Sequence, residues 1–235
     1  MNARLRLGHM EGSLLLFDLD GTLIDSVPDL CAALNEVLSE YGRPPLLPSE
    51  VQPMVGDGMP ALVARGFAAR GLDPAAAQQA LPRYVAVYEA NATRLTHPYP
   101  HVHETLETLR RMGYRTAVCT NKLQGPTLTV LRGLDLLRLF DGIAGGDRFA
   151  VRKPDPGHLL GLIKELGGGT QSAAMVGDAE NDAAAAHAAG LPLILMRYGY
   201  ARVDPGTLGA DAVLDDFADL PPTLQRLGIT PSMRD

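Results

Sequence analysis

Leu14-Leu15-Leu16-Phe17-Asp18-Leu19-Asp20-Gly21-Thr22-Leu23 is the stretch that decides the fold. Four apolar residues run without a polar break and stop at an aspartate. A strand with one wet face alternates apolar and polar residues. A continuous run reads instead as a strand buried on both faces, as in a parallel sheet. Three more segments share the form: residues 116–119 before Thr120, 173–176 before Gly177, and 193–196 before Arg197. Helical patterns at 104–112, 156–166 and 180–189 alternate with them. Gly113, Gly167 and Gly190 stand where a left-handed residue ends a helix. The alternation predicts an α/β fold on a doubly wound parallel sheet, a Rossmann-like core. Residues 211–214 read as a further strand and 220–227 as a closing helix.

Residues 26–95 break this rhythm, because their patterns are helical only. Residues 29–41 place Leu30, Ala33, Leu34, Val37 and Leu38 on one face. Residues 59–69 follow the turn Gly56-Asp57-Gly58, and 74–90 are rich in alanine. Seventy residues are too many for a crossover between two strands. They predict an all-helical cap, 26–95, inserted into a core made of 1–25 and 96–235. Residues 1–12 read as a disordered tail, with Gly8-His9-Met10 either native or an expression scar.

The bulk composition narrows the function. The chain has 235 residues, 46% hydrophobic and 20% charged, which suits a soluble globular protein with a sizeable core. A net charge of −6 argues against nucleic acid as the main partner. The apolar run at 14–17 is too short for a membrane span or a signal sequence. Cys31 and Cys119 match no metal spacing and read as buried free thiols, which fits a cytoplasmic location. A monomer and a homodimer are both open.

The chemistry sits at the strand ends, where open parallel sheets bind ligands. Asp18 and Asp20 form an acid pair in the first such loop. Two carboxylates held together repel, so the site wants a cation or a shared proton. One can attack while the other shuttles a proton to the leaving oxygen. A lone acid pair after a strand is commonly a helix-capping turn; it is the full string and its strand that point to catalysis. Thr120-Asn121-Lys122 ends the second core strand, and its hydroxyl and N–H groups suit a phosphate oxygen. By itself the tripeptide would pass for a helix N-cap. Lys153-Pro154 adds a point charge for phosphate. The chain has only three lysines, Lys122, Lys153 and Lys164, against eighteen arginines, so lysine at two such places is informative. Gly177-Asp178-Ala179-Glu180-Asn181-Asp182 brings two carboxylates four residues apart to a helix start. Hard oxygens at that spacing suit Mg²⁺, and helix capping by Asp178 is compatible with it. His97, His101 and His103 cluster as well, and read as a hinge loop rather than a metal site.

With these four motifs the chain resembles the haloacid dehalogenase superfamily of aspartyl phosphotransferases, from about residue 13 to 228. The helical insert is similar to the branch whose cap lies between the first and second motifs. The resemblance implies that Asp18 attacks phosphorus and that Asp20 is the acid/base. It implies that Thr120 and Lys153 hold the phosphoryl oxygens. Asp18, the Asp20 carbonyl and Asp178 would bind Mg²⁺, with Asp182 supporting it through water. Within the superfamily the chain is most similar to bacterial phosphatases that cleave 2-phosphoglycolate, through residues 17–26, Pro28-Asp29-Leu30, and Val55-Gly56-Asp57-Gly58 with Arg65. That branch usually continues Tyr99-Pro100 with glycine, where this chain has His101.

The expected substrate is therefore a small phosphorylated metabolite. Gly56, Asn121 and Lys122 are expected to line its site, and Arg65 to pair with a substrate carboxylate. Sugar phosphates, nucleotides, pyrophosphate and a phosphomutase reaction stay open. Asp20 argues against a dehalogenase, which has no leaving oxygen to protonate. The lack of any lysine before Lys122 argues against a Schiff-base phosphonate hydrolase. A non-catalytic regulatory protein would have lost at least one of Asp18, Asp20, Lys153 or Asp178, and none is lost.

Overall fold

A computed structural model describes residues 13–231. The expectations about residues 1–12 lie outside them. The first strand, β1 (Leu14–Phe17), leads into a short β2 (Ile24–Asp25). Four helices follow: α1 (Val27–Glu40), α2 (Pro48–Val51), α3 (Met59–Ala69) and α4 (Pro74–Asn91). The chain returns through β3 (His97–Pro98), α5 (Val102–Met112), β4 (Arg115–Cys119), α6 (Gln124–Gly133) and β5 (Gly142–Ala144). It ends with α7 (Gly157–Glu165), β6 (Ala173–Gly177), α8 (Glu180–Ala189), β7 (Leu193–Met196), β8 (Ala212–Leu214) and α9 (Leu220–Arg226).

Six strands form one sheet in the order β5-β4-β1-β6-β7-β8, with every neighbouring pair parallel. The fold is α/β and doubly wound. Its order reverses at β1, so the switch point, where a crevice opens, falls beside Asp18. The continuous apolar run of β1 has a direct cause. Leu15 and Phe17 pack into one core cluster, with Leu106 and Leu109 of α5 and Leu220 and Leu224 of α9. Leu14 and Leu16 pack into the other, with Leu159, Leu162 and Ile163 of α7. Successive side chains leave opposite faces of a strand, and both faces are covered. Cys31 and Cys119 are both buried and free. Gly113, Gly167 and Gly190 all take positive φ, as expected of helix stops.

Two elements of the sheet layer differ from the sequence reading. The strand β5 and the helix α6 are present where no element was expected. Gly142-Ile143-Ala144 is too short to carry a period, and it forms because Ala117–Cys119 offers a parallel edge to pair with. A further pairing lies just outside the helical stretch 26–95, where the sequence reading assigns no element. Ile24–Asp25 pairs antiparallel with His97–Pro98, a two-residue ribbon at the neck of the helical insert.

The helices between that ribbon share one apolar interior. Leu30, Leu34 and Val37 of α1 meet Leu62, Val63 and Phe67 of α3 and Tyr84 and Val87 of α4. Asp29 locks the return of the chain. Its buried carboxylate accepts the Thr96 N–H at 2.8 Å, the Thr96 hydroxyl at 2.7 Å and the Leu95 N–H at 3.0 Å. No helix among the described residues is long and apolar enough to cross a membrane.

Candidate active site

The loops after β1, β4 and β6 meet at the carboxyl edge of the sheet. Asp18 follows β1 directly, and its N–H donates to the Val176 carbonyl of β6 at 2.9 Å. The Asp18, Asp178 and Asp182 carboxylates each present an oxygen within 4.8 Å of the other two, and all three are buried. Lys153 joins them. Its Nζ donates to Asp182 Oδ1 at 2.6 Å and lies 2.9 Å from Asp18 Oδ1. The Asp18 contact is an ion pair outside hydrogen-bond geometry, which leaves that oxygen without a hydrogen bond.

Each acid is held from behind. Asp178 accepts the Thr22 hydroxyl at 2.7 Å and the Tyr200 N–H at 2.7 Å. Asp182 Oδ2 accepts the N–H groups of Asp178 and Ala179, both at 3.1 Å, which ties it to the start of α8. Gly21 gives the Asp178 carboxylate room. It has φ +90°, and a Cβ there would fall 2.4 Å from Asp178 Oδ2.

The electrostatics follow from this packing. Burial pushes the Asp18 carboxyl up to about 6, although the Lys153 ammonium pulls it down. Burial raises Asp178 further, and the neighbouring Asp182 and Asp18 charges add to it. Burial also works against the Lys153 ammonium, but Asp18 and Asp182 outweigh it and hold its pKa above the usual lysine range. Were all three acids ionised, they and the Lys153 ammonium would carry two excess negative charges in a buried pocket, which burial resists in the absence of a cation. Hard oxygen donors carrying that excess suit a small divalent cation such as Mg²⁺.

Asp20 stands apart from this cluster. Lys122 Nζ donates to both its oxygens, at 2.9 and 3.0 Å. Lys122 is itself buried, 4.7 Å above the ring of Tyr88 from α4. Burial disfavours its charge, yet Asp20 and Tyr88 keep its pKa raised. Thr120 is buried at the end of β4, and its hydroxyl accepts the Lys122 N–H at 3.2 Å. Asn121 bridges the layers, its Nδ2 donating to the Lys153 and Gly56 carbonyls at 2.9 Å each.

A cleft opens over these groups. Asp18, Asp20, Thr120, Asn121 and Lys122 line its floor. Gly56, Gly58, Leu30, Met59 and Leu62 from the helical insert form its roof.

Of the residues singled out in sequence, Asp18, Asp20, Gly56, Thr120, Asn121, Lys122, Lys153, Asp178 and Asp182 come together here. Arg65 does not join the cleft lining. Its guanidinium donates to the Met54 carbonyl at 2.8 Å and pairs with Asp57. Lys153 also differs in placement from the strand-end expectation. It lies well beyond β5, at the foot of α7, and reaches back. His97, His101 and His103 do not converge: His101 Nδ1 meets Asp216 Oδ1 at 2.8 Å, and His103 lies beside Glu107 and Arg138. His101 takes φ +64°, the left-handed region in which the resembling branch has glycine.

Several supporting residues carried no sequence signal. His158 of α7 is buried, accepts the Lys153 N–H through Nδ1 at 3.3 Å and donates through Nε2 to Gly145 at 3.2 Å. Burial and the Lys153 ammonium push its pKa down to about 4, so it is a neutral prop for Lys153. Tyr200 and Arg202 were equally invisible, and Asn181, though inside the 177–182 motif, was given no role of its own.

The family model described as haloacid dehalogenase-like hydrolase matches residues 15–196. A phosphoglycolate phosphatase of Rhodospirillum rubrum is 44% identical over 232 residues, 93% of this chain and 96% of that protein. One of Caulobacter vibrioides is 40% identical, covering 92% of each. The crystal structure of a predicted phosphoglycolate phosphatase from Haemophilus somnus superposes with a TM-score of 0.86 at 31% identity, over 91% of this chain and 98% of that one. The match spans the acid loop after β1, the lysine and the paired acids after β6, and it accounts for why they share one edge: the chain belongs to the haloacid dehalogenase-like hydrolase family.

Proposed function

We propose that this chain is a Mg²⁺-dependent phosphomonoesterase that works through an aspartyl-phosphate on Asp18, with 2-phosphoglycolate as its substrate. The observation that carries the chemistry is the buried trio Asp18, Asp178 and Asp182 with Lys153 between two of them, and Asp18 opening from that group onto the floor of a cleft. The substrate rests on the relatives named above.

In this reading an Asp18 oxygen attacks phosphorus in line with the ester oxygen. The new O–P bond forms as the ester bond breaks, and Asp20 delivers a proton to the departing glycolate oxygen. Asp20 then takes a proton from water, which attacks phosphorus and returns Asp18 as a carboxylate with release of phosphate. Thr120 and Lys153 hold the oxygens of the transferring group, and backbone groups at Asn121 help to orient it. Lys122 holds Asp20 in the free site and faces the substrate across the cleft. Asp18, Asp178 and the Asp20 carbonyl would hold Mg²⁺, with Asp182 supporting them. When bound, the ion neutralises charge on the phosphoryl oxygens. The roof of Leu30, Met59 and Leu62 keeps water from the reacting atoms.

The test is phosphate release with Mg²⁺ from 2-phosphoglycolate beside sugar phosphates, nucleotides and pyrophosphate, with Asp18→Asn as control. A kcat/KM for 2-phosphoglycolate orders of magnitude above the rest supports the substrate. Equal and slow turnover of all of them removes the substrate and leaves the chemistry. An active Asp18→Asn variant removes the mechanism.

A further inference from the structure

The loop from Tyr198 to Arg202, just after β7, grips three parts of the molecule at once. Its inner side holds the acids. The Tyr200 N–H donates to Asp178 Oδ2 at 2.7 Å, and the Arg202 N–H to Glu180 Oε1 at 2.9 Å. Gly199 presses on the same acid so closely that a Cβ there would lie 2.2 Å from Asp178 Cβ. Its middle holds the neck of the helical insert. The Tyr200 hydroxyl donates to Asp25 Oδ1 at 2.7 Å and accepts the Ser26 N–H at 2.9 Å.

Its outer end reaches the turn that roofs the cleft. The Arg202 guanidinium donates to the Pro53 carbonyl at 3.0 Å, the Val55 carbonyl at 3.1 Å and Asp57 Oδ2 at 2.7 Å. Asn181, between Asp178 and Asp182 in the chain, adds a bond from Nδ2 to Asp57 Oδ1 at 2.6 Å.

We propose that Arg202 is a positioning residue for the reaction, latching the turn at residues 55–57 over Asp18 from a loop built on Asp178. The inference rests on the reading of Asp18 as the reacting group. Val55 and Gly56 belong to that turn and line the cleft, so its seat sets how closely the roof meets a substrate on Asp18. One planar guanidinium satisfies two carbonyls and a carboxylate that lie in different directions. An ammonium on a flexible stem cannot hold all three. Since the latch loop also carries a hydrogen bond to Asp178, roof and acids move as one body. A cleft closed in this way excludes water and aligns the ester.

Arg202→Ala, Arg202→Lys and Asp57→Asn test this, with amide hydrogen exchange on the free protein and steady-state kinetics with Mg²⁺. In Arg202→Ala, exchange in residues 52–59 should rise about tenfold or more, while β1 and β6 keep their protection. Its kcat/KM should fall by about tenfold or more, and Arg202→Lys should restore only part of the loss. Asp57→Asn combined with Arg202→Ala should cost less than the sum of the two single losses, because they share the Arg202–Asp57 contact, while Asp57 also serves Arg65 and Asn181 and Arg202 also serves the Pro53 and Val55 carbonyls. Unchanged exchange in residues 52–59, or a wild-type kcat/KM in Arg202→Ala, overturns the latch. Should Arg202→Ala fail to fold, Arg202→Lys and Asp57→Asn each must still raise exchange in that segment. A wild type that releases no phosphate from any ester refutes the proposed function instead, and the exchange measurement alone then decides the latch.

Discussion

Replacing Asp18 with asparagine should abolish turnover and at the same time stabilise the metal-free protein. The substitution keeps the shape and removes the charge. In the folded protein the Asp18 carboxyl is pushed up to about 6 from an ordinary 3.8, burial outweighing the help of Lys153. The folded state therefore holds that proton more tightly than the unfolded chain does. For an acid with a raised folded pKa, the penalty is absent below 3.8. It grows as pH climbs towards 6 and is complete above it. A shift of about two units corresponds to roughly 3 kcal/mol. At pH 7.5 in EDTA, Asp18→Asn should be more stable than wild type by that amount, or roughly 6–12 °C in Tm for a chain of this size. At pH 4 the gap should shrink to under about 1 kcal/mol. Mg²⁺ should narrow the gap at pH 7.5, because an ion bound by the wild-type carboxylate stabilises only the folded state. Urea and thermal unfolding followed by circular dichroism, in EDTA and in Mg²⁺ at both pH values, measure all of this. An Asp18→Asn protein less stable than wild type in EDTA at pH 7.5, or an equal gap at pH 4, would refute the reasoning.

Gly21→Ala should cut kcat/KM by about a hundredfold or more, since a Cβ 2.4 Å from Asp178 Oδ2 must displace that carboxylate; a Mg²⁺ titration of phosphate release should show weakened metal dependence. Arg65→Ala should change kcat/KM on 2-phosphoglycolate by less than about tenfold, because its guanidinium serves Met54 and a half-exposed pair with Asp57. A hundredfold loss confined to that substrate, against ethyl phosphate as the carboxylate-free control, would restore Arg65 to substrate recognition. Asp29→Ala should destabilise the protein by about 3 kcal/mol or more, through the stranded donors at Leu95 and Thr96, with the deficit read by urea unfolding.

Much of this protein is legible along the chain because its decisive features are local. A strand covered on both faces must be apolar at every position, so Leu14–Phe17 and Leu193–Met196 announce themselves. The residues proposed for the chemistry follow such strands directly, so Asp18, Thr120 and Asp178 could be found from where the apolar run stops. Helical period alone exposed the insert, since α1 and α3 each bury one stripe.

What escaped the sequence is what depends on residues meeting across long separations. Gly142–Ala144 has no period of its own and becomes a strand only by pairing with β4. Arg65 has the right type and neighbourhood for a substrate arginine, yet the turn at Met54 and Asp57 claims it first. His158 looks like any helical histidine until the fold sets it under Lys153. Arg202 and Asp57 stand 145 positions apart in sequence, and nothing in either segment names the other. The sequence by itself determined the α/β core, the helical insert and the set of acids and lysines, because strand burial, helix period and strand-end chemistry are written in adjacent residues. Only the tertiary structure decided which cations face the cleft and which close it, because a guanidinium binds whichever acceptors the fold brings within about 3 Å.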